Sequence, residues 1–299
     1  MIDIPPVVRN KAVVAGRPDW LVALPGLLEE LADRWSLTLG RSYGDSTEAF
    51  VCDATRDDGA EAVLKLLVPR SPELAEREAT VLRLADGDGC ARLLDFDVDR
   101  QALLIERLGV SMHELALPIE QRHRLLAGAA QRLWRRAPGA DLPTGAWKAA
   151  WLAAQIAASW ERLGRPCDER TVDHALSCAH RRRAAHDDER ARLVHGDVHQ
   201  WNALRAADGT FRLVDPDGLL AEPEYDLGII MREDPLELMQ SDPSDRAGRL
   251  AGLTGCDRTA IVEWGVVERL STGLLCLEID LRPEGDQMLA AADYVAALG

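Results

Sequence analysis

The chain has 299 residues, enough to bury a large core and to form one two-lobed domain or two small ones. Its formal net charge of −15 disfavours nucleic acid or an anionic membrane as the main partner and favours a cationic substrate. The six cysteines form no C-x-x-C pair, so neither a zinc site nor a redox motif is indicated. There is no basic start followed by an apolar core, and no apolar run is long enough to span a membrane, so we expect a cytoplasmic protein.

The N-terminal part of the chain is predicted to contain one helix followed by a small sheet. Leucines at three- and four-residue spacings indicate an amphipathic helix over 20–35. Three strands, at 37–41, 47–54 and 62–68, then form an antiparallel meander. Folding the second and third strands about their Asp-Asp-Gly turn places Lys65 opposite roughly Phe50.

A glycine-containing loop, G-R-S-Y-G-D-S, joins the first two strands. Small residues expose backbone N–H groups that can hold phosphates, and a nearby lysine adds a point charge. We therefore take Ser42, Gly44, Ser46 and Lys65 as candidate nucleotide-binding residues. The alternative is that the loop only makes the turn and that the lysine is solvated.

A helix predicted at 72–85 strengthens the nucleotide hypothesis. It starts at a proline and carries acidic residues in its early turns, as the helix dipole prefers. Its Glu78 can reach back to Lys65, and in kinase-like folds such an ion pair positions the lysine that binds phosphate. The alternative is that Glu78 is one of several surface carboxylates.

A second hairpin, 92–98 with 101–107, ends the predicted sheet. The linker that follows can offer backbone groups to an adenine edge, which makes Glu106 and Leu108 candidates for nucleotide binding. From Met112 onward the pattern is almost entirely helical, so strands come first and helices after. The tryptophans of these helices are taken as core. We take the basic run at 181–183 as a solvated helix end.

The strongest chemical signal lies in a predicted β-hairpin. Its strands are at 203–205 and 211–214, with an Asp-Gly pair in the turn between them. If the strands pair antiparallel, Asn202 and Asp215 arrive side by side at their outer ends, as oxygen ligands suited to Mg²⁺. Asp197 lies in the loop that leads in, where a carboxylate can accept a proton from a hydroxyl held against a metal-bound phosphate.

Three acidic residues are candidates for binding a cationic substrate: Asp226, Glu263 and Glu268. The first lies in a predicted helix after the hairpin, and the other two are embedded in the apolar stretch 261–277. Buried carboxylates need partners. A cationic substrate is one possible partner, and a neighbouring arginine such as Arg269 is the alternative.

The chain resembles the aminoglycoside phosphotransferases, which share a fold with protein kinases, and within them the branch of streptomycin 6-phosphotransferase and hydroxyurea phosphotransferase. The resemblance covers nearly the whole chain and is carried by H-G-D-x-H-x-x-N at 195–202, then V-D-P-D-G-L, E-Y-D-L and E-W-G-x-V-E-R-x-S-T-G-L. It implies a bilobal, protein-kinase-like α+β fold. A nucleotide-binding lobe with a small antiparallel sheet and a helix is expected at 1–106, and a mainly helical catalytic and substrate-binding lobe with the hairpin at 107–299.

The resemblance also implies roles for the site residues. Asp197 is the catalytic carboxylate, and Asn202 and Asp215 hold Mg²⁺, with Asp217 assisting. His195 is a structural hydrogen-bonding residue, and His199 has no assured role.

On the nucleotide side, Lys65, positioned by Glu78, is implied to contact the α- and β-phosphates of ATP. The phosphate loop departs from the G-x-G-x-x-G of protein kinases, so its position carries over and its individual contacts do not. H-R-D, D-F-G and A-P-E are also missing, which disfavours a protein substrate.

Four hypotheses follow. The first is an ATP-dependent phosphotransferase acting on a hydroxyl of a small cationic antibiotic, streptomycin above all. The second changes the acceptor to hydroxyurea, a peptide antibiotic such as viomycin, or an endogenous metabolite. The third is a nucleotide-binding protein without catalysis. The fourth is a zinc hydrolase using His195, Asp197 and His199. In each case we expect a monomer or a weak dimer.

Overall fold

The computed structural model describes residues 4–44 and 48–298. The chain divides into two compact units, Met1–Gly109 and Val110–Gly299. The first combines a sheet with helices and the second is mainly helical, as the α+β class requires. Assigning nucleotide binding to 1–106 and catalysis to 107–299 stays a prediction. In these described ranges, no helix has both the length and the apolar character needed to cross a bilayer.

The elements of the first unit match the sequence-based prediction, with one helix added. They are α1 (Pro6–Val14), α2 (Pro18–Trp35), β1 (Leu37–Ser42), β2 (Ala49–Arg56), β3 (Glu61–Leu67), α3 (Pro72–Ala85), β4 (Leu93–Asp97) and β5 (Ala102–Glu106). The added helix, α1, starts with a proline, which suits the first helical position. It buries only Val8 and Ala12, too few residues for a clear periodicity.

The five strands form one antiparallel sheet in the order β1-β2-β3-β5-β4. Strand β3 is flanked on both edges, and its Lys65 lies opposite Val51 of β2 and Leu103 of β5. The predicted neighbour, Phe50, pairs with Leu66, so the predicted register was one residue off. Lys65 therefore sits on a strand that is hydrogen-bonded along both sides, which fixes its backbone.

The two faces of β3 serve different purposes. Because side chains alternate along a strand, Leu64 and Leu66 share one face, and they join the leucines of α2 in a buried cluster. Lys65 lies on the other face, where Glu78 of α3 contacts it. The alternation thus separates the hydrophobic core from the charged pair.

The second unit contains a short 3₁₀ helix and then the remaining elements. These are the 3₁₀ helix (Met112–Leu115), α4 (Ile119–Leu133), α5 (Gly145–Arg162), α6 (Glu169–Ala185), β6 (Arg192–Val194), β7 (Ala203–Arg205), β8 (Phe211–Leu213), β9 (Leu219–Ala221), α7 (Glu224–Arg232), α8 (Pro235–Leu238), α9 (Pro243–Thr254), α10 (Arg258–Glu278) and α11 (Arg282–Leu298). Strand β6 pairs with β9, and β7 with β8, both antiparallel.

Helices α7 and α10 pack with their backbones in close contact, because each supplies a glycine at the crossing. A Cβ added at Gly228 of α7 would lie 2.9 Å from the backbone carbon of Trp264, and one added at Gly265 of α10 would lie 2.7 Å from the Cβ of Met231. The Trp264 ring also packs edge-on against Tyr225. This crossing fixes α7 on α10 and so sets the position of the residues at the end of α7.

Gly228→Ala is expected to destabilise the protein by about 1–3 kcal/mol or more, because the added methyl group has no space at this crossing. The matched control is Gly248→Ala in α9, where an added Cβ has no atom within 4 Å. There the alanine is expected to stabilise the helix by up to about 1 kcal/mol. Urea unfolding of both variants measures the difference, and equal free energies of unfolding would contradict the close packing.

Candidate active site

The loop after β6 is held by a buried carboxylate. Asp226 of α7 is 0 % exposed, and it accepts hydrogen bonds from the backbone N–H groups of His195 (3.1 Å) and Gly196 (2.8 Å) and from the indole of Trp134 (2.8 Å). Burial raises the pKa of Asp226, and these donors act against that rise. The structure therefore gives Asp226 a place in the support of the loop, where it has no surface to offer the cationic substrate expected from sequence.

His195 is also a support residue. Its Nδ1 accepts from the Asp197 N–H (3.2 Å) and its Nε2 donates to the Val214 carbonyl (3.0 Å), so the ring bridges the loop to the hairpin. It is fully buried, and burial lowers its pKa, which keeps the ring neutral. Because both ring nitrogens are engaged, neither is left for the zinc ion of the hydrolase hypothesis.

Gly196, between His195 and Asp197, cannot be replaced by a larger residue without strain. Its φ is +91°, in the left-handed region, and an added Cβ would lie 2.8 Å from the Cβ of Asp217. The chain therefore turns tightly beside the segment that follows the hairpin. This turn places the segment that carries Asp197 next to Asp217.

Asp197 has three side-chain partners. Its Oδ2 accepts from His199 Nε2 (3.0 Å) and Asn202 Nδ2 (3.2 Å), and its Oδ1 accepts from Arg232 Nη2 (2.8 Å). Burial acts to raise the pKa of Asp197, but His199 and Arg232 outweigh it and hold that pKa well below its usual value. The side chain is still 33 % exposed, so a charged and accessible carboxylate results.

The hairpin forms as the sequence predicted. Ala203 pairs with Leu213, and the Val214 N–H donates to the Asn202 carbonyl (2.9 Å) beyond the last strand pair. Asp215 follows at once, exposed and with a φ of +58°. The structure therefore brings Asn202 and Asp215 to the same end of the hairpin.

Asp217 has a partner that the sequence did not suggest. Lys148 of α5 reaches it with Nζ at 3.1 Å from Oδ2. Burial acts to lower the pKa of Lys148, but Asp217, Glu268 and Asp197 outweigh it and raise that pKa, so the lysine stays charged. The composition offered a signal for this residue, because the chain has only three lysines, Lys11, Lys65 and Lys148, among its 35 basic residues.

In the first unit, Lys65 and Glu78 form the predicted ion pair. Both carboxylate oxygens lie 2.7 Å from the lysine Nζ, and each side chain is 6 % exposed. A solvated Glu78, the alternative, does not fit this burial. Contact of the pair with nucleotide phosphates stays a prediction.

The remaining nucleotide candidates lie on loops and strand ends of the first unit. Ser42 ends β1 opposite Cys52, and Gly44 is exposed. Ser46 lies outside the described residues. Glu106 ends β5 and accepts from the Arg92 N–H (2.7 Å), and Leu108 is half-buried in the linker. Their contacts with a nucleotide stay predictions.

The two acidic residues of α10 have arginine partners, but not the arginine expected. Glu263 pairs with Arg181 and Arg182 of α6, so the basic run taken as a solvated helix end instead includes two ion-pair partners. Glu268 accepts from Arg232 Nη1 (3.2 Å) and from the Tyr225 hydroxyl. Both carboxylates are buried and paired with protein groups, which does not fit the substrate-binding role expected of them.

Arg269, the expected partner, is fully buried and donates to the Met231 carbonyl. Helix α10 thus contacts the end of α7 through several side chains. Arg232, the last residue of α7, was missed at the sequence level because its partners are far away in the chain.

Acid is expected to weaken the fold through Asp234, just after α7. Burial opposes its ionisation, but hydrogen bonds from His123 and Arg122 outweigh this and lower the pKa to about 2. A lowered pKa stabilises the folded state above the unfolded pKa of about 3.9, and the contribution is lost as the pH falls through about 2.

The loss amounts to about 2 kcal/mol between roughly pH 4 and pH 2. Urea unfolding of the wild type and of Asp234→Asn over this range tests it. The free energy of unfolding should fall less steeply in the variant, and parallel curves would count against the assignment.

Comparison with known proteins places this chain in a family. The family model of the aminoglycoside/hydroxyurea antibiotic resistance kinases matches residues 34–264 of the sequence. The chain is 28 % identical to a streptomycin 6-kinase of Streptomyces glaucescens, over 93 % of this chain and 92 % of that protein. It is 33 % identical to a hydroxyurea phosphotransferase of Kitasatospora aureofaciens, over 71 % of this chain and 62 % of that protein.

Solved structures show the same fold at low identity. Choline kinase LicA from Streptococcus pneumoniae superposes with a TM-score of 0.63 at 12 % identity, covering 91 % of this chain and 98 % of that one. Aminoglycoside phosphotransferase APH(4)-Ia in complex with ADP and hygromycin B gives 0.60 at 13 % identity, covering 91 % and 98 %. These likenesses confirm the predicted protein-kinase-like α+β fold, and the family match shows that the chain belongs to the aminoglycoside/hydroxyurea antibiotic resistance kinase family.

Proposed function

We propose that this protein transfers the γ-phosphate of ATP to a hydroxyl of a small cationic antibiotic, with streptomycin as the first candidate. The observation that carries the proposal is Asp197, an ionised and partly exposed carboxylate beside Asn202. Similarity to a streptomycin 6-kinase over nearly the full length of both chains supports the acceptor. The net charge of −15 suits a cationic substrate.

The residues present fit Mg²⁺ and ATP. Asn202 uses its Nδ2 as a donor to Asp197, which leaves its side-chain oxygen to bind a hard cation together with a carboxylate of Asp215. Asp217 has its Oδ2 on Lys148 and can assist with the other oxygen. Lys65, in a buried ion pair with Glu78, would supply the charge that α- and β-phosphates require. When bound, Mg-ATP supplies the phosphoryl group and neutralises its charge.

The residues of the chain orient the acceptor and receive its proton. Asp197 accepts a hydrogen bond from the acceptor hydroxyl and takes its proton as the phosphoryl group is transferred. A carboxylate with a lowered pKa is a weak base, which suits a loose transition state that needs little attack by the nucleophile. Most of the acceleration then comes from positioning and from stabilisation of charge.

Hydroxyurea is the second candidate acceptor, because the hydroxyurea phosphotransferase has the higher identity of the two relatives. A peptide antibiotic such as viomycin or an endogenous metabolite would use the same chemistry. A non-catalytic nucleotide-binding protein is disfavoured, since Lys65, Asp197, Asn202 and Asp215 are all present. Cytoplasmic location and a monomeric or weakly dimeric state stay predictions.

The test is incubation of the protein with Mg-ATP and each acceptor in turn. Release of ADP and a product heavier by one phosphoryl group, seen with streptomycin and absent with Asp197→Ala, would support the proposal. Phosphorylation of hydroxyurea alone would move the function to the second candidate. Measurable ATP binding with no turnover on any acceptor would contradict the proposed enzyme.

A further inference from the structure

Arg232 links the candidate catalytic carboxylate to a distant helix. One arm of its guanidinium, Nη2, donates to Asp197 Oδ1 (2.8 Å). The other, Nη1, donates to Glu268 Oε2 (3.2 Å) and Thr272 Oγ1 (3.3 Å), both on α10. Residues four apart on a helix share one face, so Glu268 and Thr272 together form a two-point seat for this arm.

The seat is itself fixed. Glu268 accepts from the buried Tyr225 hydroxyl through its second oxygen, so both of its oxygens are engaged. The glycine contacts at Gly228 and Gly265 hold α7 against α10 at the same crossing. Rotation of the Glu268 carboxylate would therefore break either the tyrosine contact or the arginine contact.

The charge and burial of Arg232 favour a lasting link between Asp197 and Glu268. The Arg232 side chain is 12 % exposed and that of Glu268 is 6 % exposed. Burial acts to lower the pKa of Arg232, but Asp197, Glu233 and Glu268 outweigh it and raise that pKa, so the guanidinium stays charged. Its Nε also lies 3.4 Å from Glu233 Oε1.

The planar guanidinium makes the link rigid. Because its nitrogens are fixed in one plane, an arginine seated at one arm also fixes the direction of the other, which a lysine ammonium cannot do. The position of α10 is thus transmitted to Asp197 Oδ1. His199 and Asn202 hold Oδ2, so the carboxylate is fixed from two sides.

We infer that Arg232, seated on Glu268 and Thr272, is a positioning residue for Asp197 in phosphate transfer, and that this part of α10 belongs to the catalytic apparatus. The inference rests on the proposed function. It gives the E-R-x-S-T segment of α10 a role that differs from the substrate binding expected from sequence. Glu268 acts through Arg232 and not on the acceptor.

The chain offers a matched pair of variants. Glu268→Gln keeps the shape of the side chain and weakens the seat, whereas Glu263→Gln changes another buried glutamate of α10 whose ion-pair partners are Arg181 and Arg182. A purely structural role for both predicts similar effects on melting temperature and no effect on kcat in the folded protein. The positioning role instead predicts that Glu268→Gln has a lower kcat than Glu263→Gln.

We expect Glu268→Gln to lower kcat about tenfold or more and Arg232→Lys to lower it by about 10²-fold, since small misplacements of reacting groups are costly. KM for ATP should change by less than about threefold in both, and Glu263→Gln should keep kcat within about twofold of wild type. Thr272→Val, which is nearly isosteric, should lower kcat severalfold. It tests the same inference if Glu268→Gln does not fold. Equal kcat values for Glu268→Gln and Glu263→Gln would overturn the inference.

A second measurement separates this inference from the proposed function. If the wild type phosphorylates no acceptor, the proposed function fails, and the link is judged on the ligand-free protein through unfolding of Arg232→Lys, Asp197→Asn and the double variant. Coupling of about fivefold or more in the unfolding equilibrium constant would support the link between the two residues. Additive effects would overturn it.

Discussion

Asp197→Ala is expected to lower the rate of phosphate transfer by about 10³-fold or more, at the upper end of what a positioned proton acceptor contributes. The substitution removes the group that orients the acceptor hydroxyl. ATP affinity should change by less than about threefold, because Lys65, the lysine proposed to bind the nucleotide phosphates, lies in the other unit. Turnover measured by ADP release and ATP binding measured by calorimetry test the two parts separately.

Two variants serve as controls for Asp197→Ala. Asp197→Asn keeps the shape and removes the charge, so it is expected to lose most of the activity as well. Asp208→Ala lies in the turn of the same hairpin, where the carboxylate accepts hydrogen bonds from the Thr210 N–H and hydroxyl and lies near Arg212. It should retain wild-type turnover. A rate for Asp197→Ala within tenfold of wild type would remove this residue from the chemistry.

Lys65→Met is expected to have two large effects. It removes the cation that neutralises buried Glu78, which costs about 3–5 kcal/mol of folding free energy. It also removes the charge proposed to bind the nucleotide phosphates, so ATP affinity should fall. Urea unfolding and calorimetry measure the two effects.

The double variant Lys65→Met, Glu78→Met separates structure from function. Replacing both members of a buried pair by apolar side chains is often neutral or stabilising, so stability should recover. ATP affinity, in contrast, should not recover in the double variant. As a control, Arg77→Met breaks an exposed pair with Glu73 on the same helix and should cost no more than about 1 kcal/mol. Recovery of ATP binding in the double variant would exclude Lys65 from the nucleotide site.

Local pattern was sufficient for the hairpin and the sheet. The Asp-Gly turn and the alternating strands fixed the pairing of Ala203 with Leu213, and this pairing brings Asn202 and Asp215 together. The same reasoning placed Lys65 and Glu78 within reach, because strand alternation and helix periodicity each select one face. These are contacts whose geometry follows from short segments.

Contacts between distant segments could not be predicted in this way. Asp226, Glu263 and Glu268 were expected to bind substrate because buried carboxylates need partners, and the structure supplies protein partners for all three. Which partner each one meets depends on how the helices cross. Arg232 and Lys148 were missed for the same reason. For Lys148, the small number of lysines in the chain was a signal that could have drawn attention to it.

The crossing of α7 and α10 sets an order for maturation of the enzyme. Arg232 follows Asp197 by 35 residues, and Glu268 follows Arg232 by a further 36. At about 5–20 residues per second, the ribosome makes the whole H-G-D-x-H-x-x-N segment several seconds before the helix that seats its arginine. A nascent chain ending before residue 258 therefore contains Asp197 and Arg232 but lacks Glu268 and Thr272, which hold the other arm of Arg232, so full transfer activity is expected only once α10 has been released and has docked.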